Sequence, residues 1–232
     1  MNHLRVFGAL VLLCGSTGAL PGPRPAVIEL FTSQGCSSCP PADTLLGELA
    51  GRSDVIALGF HVDYWDSLGW RDRFELSMAA GRQQRYVENL GLRSAFTPQL
   101  LLDGRRSFVG SDRRGITSAL SAPREGIAVR TYVDERNLII QLGSGPQEPF
   151  DVCVAAYLAR ADSHVDRGEN SGKTLTDFNI VLAYTRAGMW HGVPTRFVVP
   201  LSSLPVDASH AAVLVQRKGQ GEIAGAASVG LK

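Results

Sequence analysis

The sequence predicts an α/β N-terminal domain, a mixed sheet with helices on both faces, followed by a β-rich, sandwich-like C-terminal domain. Three observations carry this reading. Apolar runs alternate with amphipathic stretches up to about residue 122. Asp103-Gly104 separates two short strand-like runs, a strong two-residue turn signal. Beyond Pro123 helical periodicity disappears, and short alternating runs are divided by turn residues.

Each element follows from its residues. Ala26 to Phe31 is a β-branched and aromatic run that reads as a strand. Ala42, Leu45, Leu46, Leu49 and Ala50 recur at helical spacing, so Pro41 to about Gly51 is an amphipathic helix. Val55 to Val62 is nearly all apolar, as in a strand buried on both faces. Asp72 to about Leu90 reads as a helix with Phe74, Met78, Tyr86 and Leu90 inward, weakened by Gly81. Gln99 to Leu102 and Arg105 to Val109 form the hairpin around Asp103-Gly104, and Ser111 or Asp112 caps a last helix holding Ile116, Ala119 and Leu120. The order is β-α-β-α-β-β-α. Two strands joined through a helix imply a parallel pair with a right-handed crossover, and the closing hairpin adds antiparallel strands. This is the thioredoxin arrangement.

The second half is different. Ile127–Val133, Leu138–Leu142, Val152–Ala159, Phe178–Tyr184, Arg196–Leu201 and Ala211–Val215 are strand-like runs, which suggests an antiparallel sandwich. The expected division is residues 25–122 and 126–232, with the boundary near Ala122 to Gly126. No internal repeat or low-complexity tract is visible.

Residues 1–20 read as a signal peptide: a basic start with His3 and Arg5, an apolar run from Val6 to Leu13, then small residues up to Ala19. A disordered tail is the other reading, and Leu13 before Cys14 argues against a lipid-attachment site. Export places the mature chain in the periplasm or outside the cell, where disulfides persist. The chain has 232 residues and a net charge of +1, with no nucleic-acid footprint. No apolar stretch reaches the roughly 18–20 residues of a membrane-spanning helix, so no span is expected after signal cleavage.

Cys36-Ser37-Ser38-Cys39 is a C-x-x-C motif at a strand-to-helix junction. A thiol there meets unpaired backbone N–H groups and the positive end of the helix dipole, which favour thiolate. Only the thiolate attacks a disulfide. Cys36 is the expected exposed nucleophile and Cys39 the resolving thiol. Two other readings are half a zinc site, with no second ligand pair following, and an inert structural disulfide. Cys153, between Val152 and Val154, reads as a small buried hydrophobe.

Further candidates lie around this motif. Asp63, Tyr64 and Trp65 follow the second strand, at the sheet edge that carries the C-x-x-C, and with Thr97 are candidate substrate-contacting residues. Aromatic packing beneath a loop is the plainer reading of the tryptophans. His61 could join the cysteines on a metal, but no second ligand accompanies it, and no metal ligands are assigned. Gly168 to Thr174 misses the phosphate-loop spacing by one residue and reads as a polar loop. The thioredoxin arrangement implies two further roles. Pro98, after Thr97, is expected cis beside the reactive pair. Glu29, on the strand leading to the motif, takes the position of the buried acid that accepts the resolving thiol's proton; a Glu on the wetter face of the strand is the alternative. Pro40 and Pro41 depart from thioredoxin and shift the helix start later, leaving Cys36 in a loop.

Glu29 to Asp43 closely resembles the opening of a bacterial family of exported thioredoxin-like proteins known mainly as a domain of unknown function. His61 to Asp66, Gly69-Trp70, Arg82-Gln83, Thr97-Pro98-Gln99, Asp103-Gly104, Arg167 to Asn170, Val215-Gln216 and Gly225-Ala226 are similar to its later motifs. The resemblance spans nearly the whole mature chain and implies a thioredoxin fold with a β-rich C-terminal part, without an established substrate. The function expected from Cys36 and Cys39 is thiol–disulfide exchange with protein thiols or disulfides and a redox partner protein, with no bound cofactor. The alternatives are a binding module whose disulfide is structural, and a metal chaperone using both cysteines and His61.

Overall fold

A computed structural model describes residues 22–232. The signal peptide expected at residues 1–20, with Cys14, lies outside the described residues. The elements in chain order are β1 (Gly22–Pro23), β2 (Ala26–Thr32), α1 (Pro40–Ala50), β3 (Val55–His61), α2 (Ala79–Asn89), β4 (Gln99–Leu102), β5 (Arg106–Val109), α3 (Arg113–Leu120), β6 (Glu125–Gly126), β7 (Val129–Asp134), β8 (Asn137–Leu142), β9 (Phe150–His164), β10 (Thr174–Trp190), β11 (Thr195–Pro200), β12 (His210–Arg217) and β13 (Ile223–Gly230). The fold is mixed α/β, with few helices and much sheet.

The central layer is an eight-stranded mixed sheet in the order β13-β12-β9-β10-β3-β2-β4-β5. β2 and β3 are parallel over their whole length, from Ala26 opposite Val55 to Thr32 opposite His61. β4 runs antiparallel to β2, and β5 to β4 around Asp103-Gly104. Strand alternation sorts β2 between two cores. Ile28 and Leu30 face Leu45 and Leu46 of α1 and Ile116 of α3. Val27 and Phe31 face the other way, toward Ala79 and Tyr86 of α2 and toward Leu214 and Ile223. A separate three-stranded sheet, β11-β8-β7, covers the far side of the C-terminal strands, with Leu138, Ile140 and Leu142 against Val152, Val154 and Trp190.

Two features depart from the sequence reading. β10 pairs parallel with β3, with Ile180 opposite Gly59, so both halves of the chain contribute to one sheet. Gly59 suits this approach, because a Cβ there would stand 3.1 Å from the Phe178 carbonyl oxygen. The helix expected from Asp72 begins only at Ala79. Asp72 is fully buried and its carboxylate accepts from the backbone N–H groups of Gln34 and Phe74, at 2.8 and 2.9 Å. Those bonds hold residues 72–78 out of a helix.

Candidate functional site

The site forms where β2 ends. After Thr32 the chain turns through Ser33 to Cys39, and α1 starts at Pro40 with Cys39 as its N-cap. Two prolines at the first helical positions fit there because those N–H groups have no intrahelical partner. The helix therefore begins just after the cysteine pair, with Cys36 in the preceding turn, as Pro40 and Pro41 imply. Cys36 and Cys39 are joined in a disulfide, with Cα atoms 5.4 Å apart. The Cys39 N–H donates to the Cys36 carbonyl at 3.2 Å. Ser37 and Ser38 are exposed, but both cysteines are fully buried. The expectation of an exposed Cys36 is thus corrected: neighbouring segments close over the sulfur.

Gln34 is the hub of this closure. Its N–H donates to Asp72, its side-chain amide to Ser163 at 2.9 Å and Asp177 at 2.7 Å, and its side-chain oxygen accepts from the Trp70 indole at 3.1 Å. Its backbone carbonyl accepts from Asn170 at 3.0 Å. One buried side chain thereby ties the disulfide turn to the loop after β3 and to both β9 and β10.

Beneath the turn lies a buried ionisable cluster. His61, at the end of β3, holds Asp72 through Nδ1 at 2.7 Å, and its Nε2 is 4.0 Å from Asp177. Asp43 stands one helical turn after Cys39, on the same face of α1, and accepts from the Thr32 hydroxyl at 2.7 Å. Burial opposes charge on His61, but the carboxylates of Asp72, Asp177 and Asp43 outweigh it and lift its pKa to about 9. Burial, reinforced by Asp177, raises the Asp43 carboxyl to about 7. Burial likewise raises Asp177 against the pull of His61. Burial acts against Asp72 too, yet His61 and two backbone N–H groups hold its carboxyl below the usual range. At neutral pH the ion pair is His61 with Asp72, and Asp43 is poised between its two forms. Asp43 also lines a cavity of about 370 Å³ with Pro40, Thr44, Arg160 and Phe178.

The expected site residues divide into two groups. Thr97-Pro98 is cis, and Pro98 is buried. A Cβ on Gly110 would meet Pro98 at 2.9 Å and Ala42 at 3.0 Å, so this proline reaches the first turn of α1. The Trp65 indole donates to the Thr97 hydroxyl at 2.8 Å, and Trp65 also closes on Gly35, whose built Cβ would stand 3.0 Å from the tryptophan Cβ. Tyr64 is exposed and donates to Gln83 at 3.2 Å; Asp63 is half-buried beside it. Glu29 belongs elsewhere. Alternation puts it with Val27 and Phe31, on the face opposite α1. There Arg82 Nε donates to it at 2.7 Å, Tyr86 donates to it as well, and Gln216 completes the cluster. Glu29 is a buried ion-pair partner across the sheet from the helix that carries Cys39, and the buried acid on the disulfide's own face is Asp43. His61 is committed to Asp72, and among the described residues no group of three or more His, Cys, Asp or Glu is placed to hold a metal.

Asp43, Asp72, Asp177, Gln34 and the loop at Glu169-Asn170 were not assigned from spacing. Asp43 carried one usable signal, its position four residues after Cys39.

Several comparisons bear on the whole chain. No helix among the described residues is long and apolar enough to cross a membrane. The chain is similar to an Agrobacterium tumefaciens protein of known crystal structure, with 32% identity, a TM-score of 0.78, and coverage of 90% of this chain and 95% of that one. It also resembles in fold HBP35 of Porphyromonas gingivalis, at 12% identity and a TM-score of 0.62, covering 90% and 76% of the two chains. A search of curated proteins finds no match. The family model for a protein of unknown function, DUF1223, matches residues 27–216, and the chain belongs to that family.

Proposed function

We propose that this protein is an exported thiol–disulfide oxidoreductase whose N-terminal part is a thioredoxin-like domain. The observation that carries the reading is the Cys36–Cys39 disulfide at the start of α1, with the Asp43 carboxyl at about 7 one turn behind it. A group with pKa near the working pH is the efficient proton carrier. A substrate thiolate attacks Cys36 Sγ, the Cys36–Cys39 bond breaks, and Cys39 leaves as a thiolate that takes a proton from Asp43. A second substrate thiol, deprotonated, attacks the mixed disulfide and releases Cys36. The substrate dithiol becomes a disulfide and two electrons reach the cysteine pair; a redox partner protein removes them. In this reading Trp65 and Thr97, hydrogen-bonded to each other near the disulfide turn, would contact an extended substrate segment. Periplasmic or secreted location follows from the leader-like residues 1–20.

The C-terminal half braces this edge through β10, which pairs alongside β3. The test is equilibration in glutathione buffers, with a reversible potential between about −270 and −120 mV expected. One observation favours a second reading. Both cysteines are fully buried, as in a binding module with a structural disulfide. A pair that stays oxidised below about −300 mV would favour that alternative.

A further inference from the structure

The hairpin loop between β9 and β10 crosses the disulfide turn. Its ends are pinned by the Val165 N–H to the Lys173 carbonyl at 2.9 Å and the Gly172 N–H to the Val165 carbonyl at 2.8 Å. Gly168 and Gly172 sit at φ +77° and +79°, which glycine adopts freely. Gly168 lies against the loop after β3, since a Cβ there would be 3.3 Å from the Trp70 Cβ. Asn170, fully buried, donates its amide to the carbonyls of Gln34 and Cys36, each at 3.0 Å, and accepts from Lys173 Nζ at 2.9 Å. Glu169 is exposed, and its carboxylate accepts from the Ser37 N–H at 3.1 Å. Two consecutive residues of a distant strand connection therefore grip both sides of Cys36.

The chemistry of that grip is specific. A thiolate at this position is stabilised by nearby backbone N–H groups and by the absence of negative charge. Pro40 and Pro41 carry no N–H and the next two N–H groups donate to the Cys39 carbonyl, so the donors left to Cys36 are those of its own turn, Ser37 among them. Glu169 already occupies the Ser37 N–H and adds a negative charge beside Cys36. Lys173 of the same loop is engaged by Asn170. Glu169 thus works against the reduced state, and Asn170 holds the loop over the sulfur that an incoming thiolate must reach.

We propose that Glu169 is the positioning residue that sets the redox poise of the Cys36–Cys39 pair: it takes the Ser37 amide from Cys36 and latches the β9–β10 loop over the disulfide. The proposal rests on the oxidoreductase reading and adds what tunes and gates it. Reduction balances as above, here with dithiothreitol as donor: one sulfur attacks Cys36 Sγ, Cys39 leaves and is protonated, the second sulfur displaces Cys36, and dithiothreitol becomes its cyclic disulfide with loss of two electrons.

The test compares the full mature protein with Glu169→Gln, Glu169→Asp and Asp166→Asn. Gln keeps an oxygen acceptor for Ser37 and removes only the charge. Its equilibrium with glutathione should shift toward the reduced form by roughly threefold to tenfold, a rise of ~15–30 mV. Its Cys36 thiol should ionise at lower pH, followed by thiolate ultraviolet absorbance. Glu169→Asp should restore most of the difference. Asp166→Asn removes an equal charge from an exposed site on the same loop and should change nothing. Equal potentials in wild type and Glu169→Gln, or the same shift in Asp166→Asn, would overturn the proposal. If glutathione fails to reduce the wild type, the oxidoreductase reading falls, and the rate of reduction by excess dithiothreitol still decides the inference: a faster Glu169→Gln upholds the effect of the Glu169 charge on the pair, an equal rate refutes it.

Discussion

The Asn170 side chain donates to the backbone carbonyl of Cys36 at 3.0 Å across 134 residues of sequence. The β9–β10 loop therefore belongs to the disulfide site, and the C-terminal half of the chain helps to build it. Removing that amide should loosen the site from outside. Asn170→Ala leaves the buried Gln34 carbonyl without a donor and the Cys36 carbonyl with only the Cys39 N–H, at a cost of about 2 kcal/mol in unfolding free energy. Reduction of the pair by dithiothreitol should become faster at the same time. Unfolding in urea and thiol-release kinetics read the two effects separately, and a destabilised variant with unchanged reduction rate would confine Asn170 to a structural role.

Asp43 and Glu29 make opposite predictions. Asp43→Asn should slow thiol–disulfide exchange on the order of 10²-fold near neutral pH, because Cys39 loses its proton partner. Glu29→Gln should leave exchange unchanged and destabilise the fold by roughly 3 kcal/mol, since Arg82 stays buried with its charge unbalanced. Stopped-flow exchange with a model dithiol and denaturant unfolding together settle the assignment. The reverse pattern would return the acid's role to Glu29.

Stability of the oxidised protein should fall as pH rises. Asp43 keeps its proton in the fold up to about 7 but loses it near 3.8 in the unfolded chain, so its contribution is greatest below 3.8 and declines toward 7. His61 keeps its charge to about 9 against an ordinary 6.5, so its contribution is complete below 6.5 and is lost as pH passes through 9. Asp72 acts in the opposite sense at the acid end: its contribution is present above the ordinary carboxylate range and is lost as pH falls through its lowered value. Asp43→Asn should therefore flatten the melting temperature against pH between about 4 and 7. Parallel curves for variant and wild type would contradict the assignment.

The packing of α1 against β10 gives a further check. A Cβ on Gly47 would stand 2.6 Å from the Phe178 ring. Gly47→Ala should therefore cost about 1–3 kcal/mol through overpacking, despite alanine's better helix propensity. Urea unfolding measures it, and a neutral or stabilising result would show that Phe178 moves freely.

Local chemistry was legible in the sequence, and long-range placement was not. The β2 and β3 runs, the α1 spacing, the Asp103-Gly104 hairpin and the Cys36–Cys39 pair are each specified by neighbouring residues. The pairing of β10 with β3 joins positions about 120 residues apart and leaves no local period. β13 escaped because Ile223–Gly230 is rich in glycine and alanine, poor strand formers that hold their place by pairing with β12. Glu29 takes its expected role from its place on the strand leading to Cys36, while its face follows from strand alternation and from Arg82, a partner 53 residues on. The residues after Asp72 are helical in pattern, which predicts a helix start there; the pull of His61 and Gln34 that overrides it is tertiary.

The most direct measurement is the reduction potential of the Cys36–Cys39 pair in the mature protein, equilibrated across glutathione buffers and read by thiol trapping. A reversible transition between about −270 and −120 mV is the predicted result and places the pair among working thiol–disulfide exchangers. A pair that stays oxidised at every glutathione ratio, with a potential below about −300 mV, would contradict the central claim and make the disulfide a structural staple.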